Sequence, residues 1–254
     1  MRFATRLFLA FFAAASMFVA YAQTGANTGM PFTLEEFFKS PDLAGPTISR
    51  DGRYMAATMP FKGRMNLGVI DLETRKASLL TGYDEFDVLD VTWVGERIMF
   101  TLGQANSPTG PGNFDGGGLF AVNRDGKDFR VLFKTVKETR AQNQYVYRTM
   151  EFLRRIPGNN DEVVARGNIT VADTQDLYRL NIKTARYTLL TQGRPAEFTS
   201  RWILDGKLVP RVVTANIRDT ITSVVYYRKG ENAPWEEIAR FDRNKGPHLR
   251  AAGV

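Results

Sequence analysis

The stretch Ile48-Ser49-Arg50-Asp51-Gly52-Arg53-Tyr54-Met55-Ala56-Ala57 constrains this chain more than any other. It reads as the end of one strand, a tight turn at Asp51-Gly52, and a second strand. Asp-Gly between extended segments is a strong hairpin signal, because glycine accepts the positive φ that such turns need. Weaker copies recur at Val94-Gly95-Glu96-Arg97, Asn159-Asn160-Asp161 and Leu204-Asp205-Gly206-Lys207.

Around these turns, β-branched and aromatic runs alternate with Gly, Asn, Asp and Pro, the pattern of short strands. The runs fall into four groups of four. Strands are expected near 45–49, 53–59, 66–72 and 76–81, then 88–94, 97–102, 118–123 and 129–134. The third group is 146–153, 161–166, 175–181 and 185–191, and the fourth is 197–203, 207–214, 221–227 and 234–241. The turns after each third strand align at Asp71, Asn123, Asn181 and Arg228, which are 52, 58 and 47 residues apart. Four antiparallel strands repeated at about 45–55 residues are the signature of propeller blades. Both faces of a blade are buried by its neighbours, which suits continuous apolar runs such as Val224-Val225-Tyr226-Tyr227. A β-sandwich would also give many short strands, but it does not explain a hairpin repeated at this spacing. The expected fold is all-β: a partial, about four-bladed β-propeller of four-stranded antiparallel blades, preceded by a signal peptide and a short helix.

Residues 1–22 read as that signal peptide. Arg2 and Arg6 form a positive start, Leu7 to Ala20 is an uncharged apolar run, and Ala20-Tyr21-Ala22 is a small-x-small cleavage site before Gln23. The competing reading is a membrane anchor, for which 14 apolar residues fall short of the roughly 20 that a span needs. The expected location is periplasmic or secreted, with the membrane involved only through export. The chain has no Cys, so stability rests on packing and sheet hydrogen bonds, and no lipid can be attached at the cleavage site. Residues 23–44 form a leader with one short helix, capped by Thr33 and carrying Leu34, Phe37 and Phe38 on one face, ended at Ser40-Pro41. Blades follow over 45–241 (about 45–81, 88–134, 146–191 and 197–241), and 242–254 reads as an unstructured tail. Gly103 to Gly118, rich in Gly with Pro108 and Pro111, is a loop inside the second blade, and Thr135 to Tyr145 is a polar linker with room for a helical turn.

The search for chemistry is brief. The chain holds 34 Lys and Arg against 27 Asp and Glu. Loss of Arg2 and Arg6 leaves 32 against 27, a net charge of +5. The basic residues are scattered, among them Arg50, Arg53, Arg97, Arg154, Arg155 and Arg218. They make no stripe, so nucleic acid is not an expected partner. The nucleophile-elbow pattern Gly-x-Ser-x-Gly is absent. The one His, His248, lies in the tail. With no Cys and one His, zinc spacing cannot be built. Asp84, Glu85, Asp87 and Asp90 lack a calcium-loop pattern and read as a solvated loop. Gly110, Gly112 and Gly116 to Gly118 do not join a strand to a helix, as a phosphate cradle requires. Glu35 and Glu36 suit a helix N-terminus, with a clamp for a peptide amine as the sharper alternative. Asn168-Ile169-Thr170 matches a glycosylation sequon of the length that chance supplies. No catalytic, cofactor-binding or metal residue is assigned, and no cofactor is expected.

The apolar leader, the Phe-rich helix with Ser40-Pro41, and Ser49-Arg50-Asp51-Gly52-Arg53-Tyr54 together resemble the start of secreted prolyl oligopeptidase-type serine peptidases, including dipeptidyl aminopeptidase and acylaminoacyl-peptidase relatives. Their first hairpin commonly reads Ser-Pro-Asp-Gly-Lys/Arg-Tyr; here Arg50 replaces Pro. The resemblance covers roughly 32–241. TolB-like propellers share the hairpin. The resemblance implies a seven- or eight-bladed propeller that screens oligopeptides for an α/β-hydrolase domain carrying Ser, Asp and His. That domain is not in this sequence, so no catalytic residue carries over. The family's Glu-Glu amine clamp lies within its propeller, whereas Glu35-Glu36 precedes the blades and does not inherit the role. Peptides or a separate α/β-hydrolase domain are the implied partners; the oligomeric state is left open. The two readings are the propeller part of an exported peptidase and a stand-alone periplasmic TolB-like binding propeller.

Overall fold

A computed structural model describes Lys39 and residues 41–103, 116–142 and 147–245. The expected signal peptide over 1–22, the expected helix with Glu35 and Glu36, most of the Gly-rich stretch, and His248 lie outside these residues.

Sixteen strands occur among the described residues. Sheet 1 holds β1 (Ala44–Ile48), β2 (Tyr54–Phe61), β3 (Arg64–Asp71) and β4 (Ala77–Leu79). Sheet 2 holds β5 (Asp87–Val94), β6 (Arg97–Gly103), β7 (Gly117–Asn123) and β8 (Arg130–Phe133). Sheet 3 holds β9 (Met150–Arg155), β10 (Glu162–Gly167), β11 (Asp176–Asn181) and β12 (Tyr187–Leu189). Sheet 4 holds β13 (Thr199–Leu204), β14 (Pro210–Asn216), β15 (Thr222–Tyr227) and β16 (Glu236–Asp242). Every sheet is an antiparallel meander in chain order. The one described helix, α1 (Val136–Ala141), links sheets 2 and 3 and is nucleated by a capping box between Thr135 and Glu138.

The sheets stack because alternate residues of each strand point to opposite neighbours. On β6, Ile98, Phe100 and Leu102 turn back to sheet 1 and join Ala56, Leu67 and Val69 with Trp93 in one apolar cluster. Met99, between them, turns forward and joins Leu119 and Ala121 with Met150, Val163, Ala165, Tyr178 and Leu180 of sheet 3. Sheet 4 is fastened by hydrogen bonds as well as by apolar contact. The Trp202 indole N–H donates to the Gln175 carbonyl at 2.6 Å, and the Trp235 indole to the Gly193 carbonyl at 2.9 Å. Trp93 does the same from sheet 2 to the Thr47 carbonyl of sheet 1 at 3.1 Å. Among the described residues, strand contacts join sheets 1 and 2, 2 and 3, and 3 and 4. The described residues form four stacked blades of a partial β-propeller.

Three details differ from the sequence reading. Ser49, expected as the last residue of the first strand, belongs to the turn: β1 stops at Ile48. Its hydroxyl donates to Asp51 at 2.5 Å and accepts the Tyr54 amide at 2.9 Å, so five residues close what looked like a two-residue turn. The Leu204–Lys207 turn runs on to Val209, because the Asp205 carboxylate accepts both the Lys207 and Val209 amides, at 2.9 and 3.0 Å. The alignment of the fourth repeat is one residue late. The amides of Leu72, Arg124, Ile182 and Arg228 donate to the equivalent carbonyls of Arg53, Glu96, Asp161 and Arg211. Arg228 therefore matches Leu72, and the counterpart of Asp71, Asn123 and Asn181 is Tyr227.

Candidate functional site

All the within-blade hairpin turns at the β1–β2, β5–β6 and β9–β10 connections fall on one end of the stack, and a groove of about 1040 Å³ opens there between blades 2 and 3. Its floor is the contact between two turns. Gly95 has φ +58°, and a Cβ on it would lie 2.9 Å from the Asn160 Cβ and 3.0 Å from the Asn160 carbonyl oxygen. Only a residue without a side chain lets the turns meet this closely. A smaller hollow of about 380 Å³ adjoins it, lined by Ser49, Asp51, Trp93 and Arg124 and sharing Gly95, Glu96 and Asn160. The opening hairpin of the sequence thus borders the same surface.

The groove walls are charged. Arg97, on the forward face at the start of β6, is 6% exposed. It donates to the Asp128 carbonyl at 2.8 Å and lies 3.6 Å from the Asp128 carboxylate. The Arg179 guanidinium holds Glu162 through Nε and a terminal nitrogen, at 2.8 and 2.6 Å. Lys183 pairs with Asp161 at 2.7 Å. Arg130, also in the wall, has no side-chain partner among the described residues. Arg124, in the smaller hollow, is paired with Glu96, which lines both hollows, and lies 4.5 Å from the Tyr54 ring centroid. These groups can bind and orient a polar, extended ligand. The Ser49 hydroxyl is committed to its turn, and hydrogen bonds from it and from the Arg53 amide hold the Asp51 carboxyl below the ordinary carboxylate range.

The remaining residues singled out in the sequence scatter. The acidic run is not one solvated loop. Asp87 is buried, accepts the Met65 amide at 2.8 Å and faces Arg64 at 3.8 Å. Asp90, at φ +52° in a bulge of β5, accepts the Thr101 hydroxyl at 2.8 Å. Glu85 pairs with Lys137. Among the described residues no group of three or more His, Asp or Glu could hold a metal ion. Asn168 of the sequon is 5% exposed. Its amide nitrogen donates to the Tyr147 and Ala172 carbonyls at 2.8 and 2.9 Å, leaving no room for a glycan on the folded chain. The burial of Arg97 was invisible in a sequence whose basic residues read as surface charges. Its one signal was its place opposite Asn123, at the head of an otherwise apolar strand.

The fold defines a β-propeller protein with a polar groove on its hairpin end. Neither a family model nor a curated protein sequence matches the chain. Among solved structures it is similar to an oligogalacturonate lyase from Vibrio parahaemolyticus, with 16% identity, 80% of this chain and 55% of that one covered, and a TM-score of 0.46. It is also similar to TolB from Acinetobacter baumannii, at 10% identity, 77% and 43% coverage, and a TM-score of 0.41. An acylaminoacyl peptidase from Pyrococcus horikoshii matches at 15% identity, 76% and 31% coverage, and a TM-score of 0.41. The chain spans about half the length of the first solved structures it matches.

Proposed function

We propose that this chain is the non-catalytic propeller portion of an exported prolyl oligopeptidase-type serine peptidase, and that it screens oligopeptides for a hydrolase portion that carries the chemistry. The observation that carries this reading is the Ser49–Tyr54 hairpin at the head of a stack of four-stranded blades: the turn resembles the family's first hairpin except for Arg50 in place of Pro, and Asp51 and Ser49 close it. The leader over 1–22 fits export to the periplasm or beyond. On this reading the chain alone cleaves nothing. A serine-directed fluorophosphonate probe should leave it unlabelled, and oligopeptides should survive it. The DNA that follows its last codon should encode further blades and a Gly-x-Ser-x-Gly elbow. Hydrolysis by the purified chain, abolished by that probe, would refute the proposal.

A second reading, a stand-alone TolB-like propeller that binds peptides or proteins, is favoured by the groove between blades 2 and 3. Its size and mixed charge suit an extended polar ligand, and Arg130 is the wall residue with a guanidinium to spare. Binding to a peptide array, lost in Arg130→Ala with the fold intact, would select this reading over the first.

A further inference from the structure

We propose that the groove between blades 2 and 3 seats an extended peptide by a carboxylate, held by Arg97 and Arg130, with the Asn160 side-chain amide reading the main chain beside it. This rests on the second reading above, that the groove binds peptides, and adds what such a peptide must carry. Four cations line the groove, Arg97, Arg130, Arg179 and Lys183, against the three carboxylates of Glu96, Asp128 and Asp161. Each carboxylate already has a cation: Glu96 has Arg124, Asp128 has Arg97, and Asp161 has Lys183. Arg179 in turn is held by Glu162. Among the described residues of the groove, no acid is left over for a ligand amine, whereas Arg130 is left over for a ligand acid. The excess is one positive charge, which one carboxylate balances. A doubly charged phosphate would overshoot it, with three carboxylates close by.

Arg97 makes this more than a lone surface cation. It is buried at the head of β6, so packing fixes its guanidinium. Of its five N–H groups, one donates to the Asp128 carbonyl, at 2.8 Å. A terminal nitrogen lies 3.6 Å from the Asp128 carboxylate, past the reach of a hydrogen bond. That carboxylate instead accepts the Asn123 amide nitrogen at 3.1 Å. A buried guanidinium with donors to spare therefore lines the groove, and its planar fork matches the two oxygens of a carboxylate. The facing wall is preformed. Pro157-Gly158 is a tight turn, closed by the Asn159 amide on the Ile156 carbonyl at 3.0 Å, with Gly158 at φ +74°. The Asn159 side chain accepts the Asp161 and Glu162 amides, both at 2.9 Å. Asn160 lines both hollows, and its side-chain amide has no partner among the described residues. A side-chain amide carries both a donor and an acceptor, as an extended main chain does. The apolar side chains of the lining are Ile156 and Pro157, so selectivity here comes from charge and hydrogen bonds.

The test is an array of short peptides, each made with a free C-terminal carboxylate and as the C-terminal amide, and with Glu or Gln at each internal position. In calorimetry, the binders should lose about ten-fold or more in affinity when the seated carboxylate is neutralised, as loss of a hydrogen bond to a charged group does. Loss on amidation identifies a chain terminus as the source, and loss on exchange of Glu for Gln an acidic side chain; either supports the proposal. Arg130 is exposed, so Arg130→Glu should fold as the parent does. It should turn the preference from acidic towards basic peptides, a change that misfolding could not produce. Arg97→Lys keeps the charge and loses the fork, and should narrow the preference for acid over amide. Binders that accept acid and amide, Glu and Gln, alike would overturn the proposal and leave the binding reading standing. An array without a binder would overturn both. An Arg130→Glu chain that keeps the parent's preference would put the carboxylate elsewhere, and overturn the proposal alone.

Discussion

Thr191 donates its hydroxyl to Asp176 at 2.7 Å in blade 3, in the way that Thr81 donates to Asn66 at 2.9 Å in blade 1. Each threonine follows its partner by 15 residues and also accepts the next amide, that of Leu177 or Leu67. The clasp pins the connection after the outer strand back onto the third strand. In blade 3 it is charged: Asp176 is fully buried and faces Arg194 at 2.6 Å. Removing one partner of such a pair leaves an uncompensated buried charge, at a cost of about 3–5 kcal/mol. Arg194→Met should therefore lower stability by about that much in urea unfolding. Adding Asp176→Asn to it should recover part of the loss, since the amide still accepts from Thr191. If the double variant is no more stable than the single one, the cost lies in packing and not in the buried charge.

Gly95→Ala should loosen the seam between blades 2 and 3. The new methyl would meet Asn160 backbone and Cβ atoms at 3.0 Å or less, and the backbone there is left-handed. Overpacking of this kind costs about 1–3 kcal/mol. A thermal melt within error of the parent would mean that the two turns are not held in contact in solution. A lowered melt with unchanged circular dichroism is the expected result.

Much of this fold is legible in the sequence because strand and turn signals repeat four times and reinforce one another. The strand ends shift by only a few residues where turns are longer than their Asp-Gly core, as at Asp205 to Val209. What the sequence hides is decided by register and by long-range contact. Placing Arg228 beside Asp71 is natural when both precede a turn; only the amide of Arg228 on the Arg211 carbonyl moves the match to Tyr227. Asp87 and Arg97 look like surface charges until a neighbouring strand buries them. The groove itself has no sequence motif, because it needs turns of two different blades, Gly95 and Asn160 among them, brought together by stacking.

Stability should fall at acid pH in a way that the turn aspartates set. The Asp51 carboxyl is held below its ordinary value chiefly by the Ser49 hydroxyl, Asp71 by the Thr74 amide, and Asp205 by the Val209 amide. A depressed folded pKa means that the contribution is whole above the unfolded value of about 3.9. It is lost as pH falls through the lower folded values. Replacing all three by Asn keeps an oxygen acceptor and removes the proton. The triple variant should melt at a temperature less dependent on pH between about 4 and 2 than the parent. Equal slopes would show that other carboxylates govern acid unfolding.

Two tyrosines should ionise late. Burial, with the Glu138 charge as a lesser cause, pushes the Tyr83 phenol up to about 12, and burial also raises Tyr178. The sign is opposite to that of the aspartates. The neutral phenol is favoured in the folded chain, so this stabilisation is complete below about pH 10 and is lost as pH rises towards the folded value. Alkaline titration followed by phenolate absorbance should show the main body of the nine tyrosines first and a late component after it. Tyr83→Phe should shrink the late component. A single transition at the ordinary tyrosine value in the folded parent would contradict the burial of both rings.

Arg228 should prove to be the clamp that holds blade 4 against blade 3. It is 6% exposed. Its Nε donates to the Pro210 carbonyl at 2.7 Å, and a terminal nitrogen donates to the Glu231 carbonyl at 2.7 Å. Burial lowers its pKa, and the nearby Arg211 adds to that, opposed by Glu231. The guanidinium lies 4.6 Å from the Trp235 ring centroid, and that indole reaches the Gly193 carbonyl in the connection between blades 3 and 4. One planar cation thus closes the last turn and seats the tryptophan that crosses the seam. Each hydrogen bond from a charged group is worth about 1.5–3 kcal/mol, so Arg228→Ala should destabilise by at least one such bond and free Trp235. Lysine lacks the planar fork and should rescue only in part. With Trp93 and Trp202 replaced by Phe, Trp235 is the single emitter, and its fluorescence should shift to the red in Arg228→Ala. An unshifted spectrum would mean that Trp235 keeps its seat without the arginine, so that Arg228 is not what holds it.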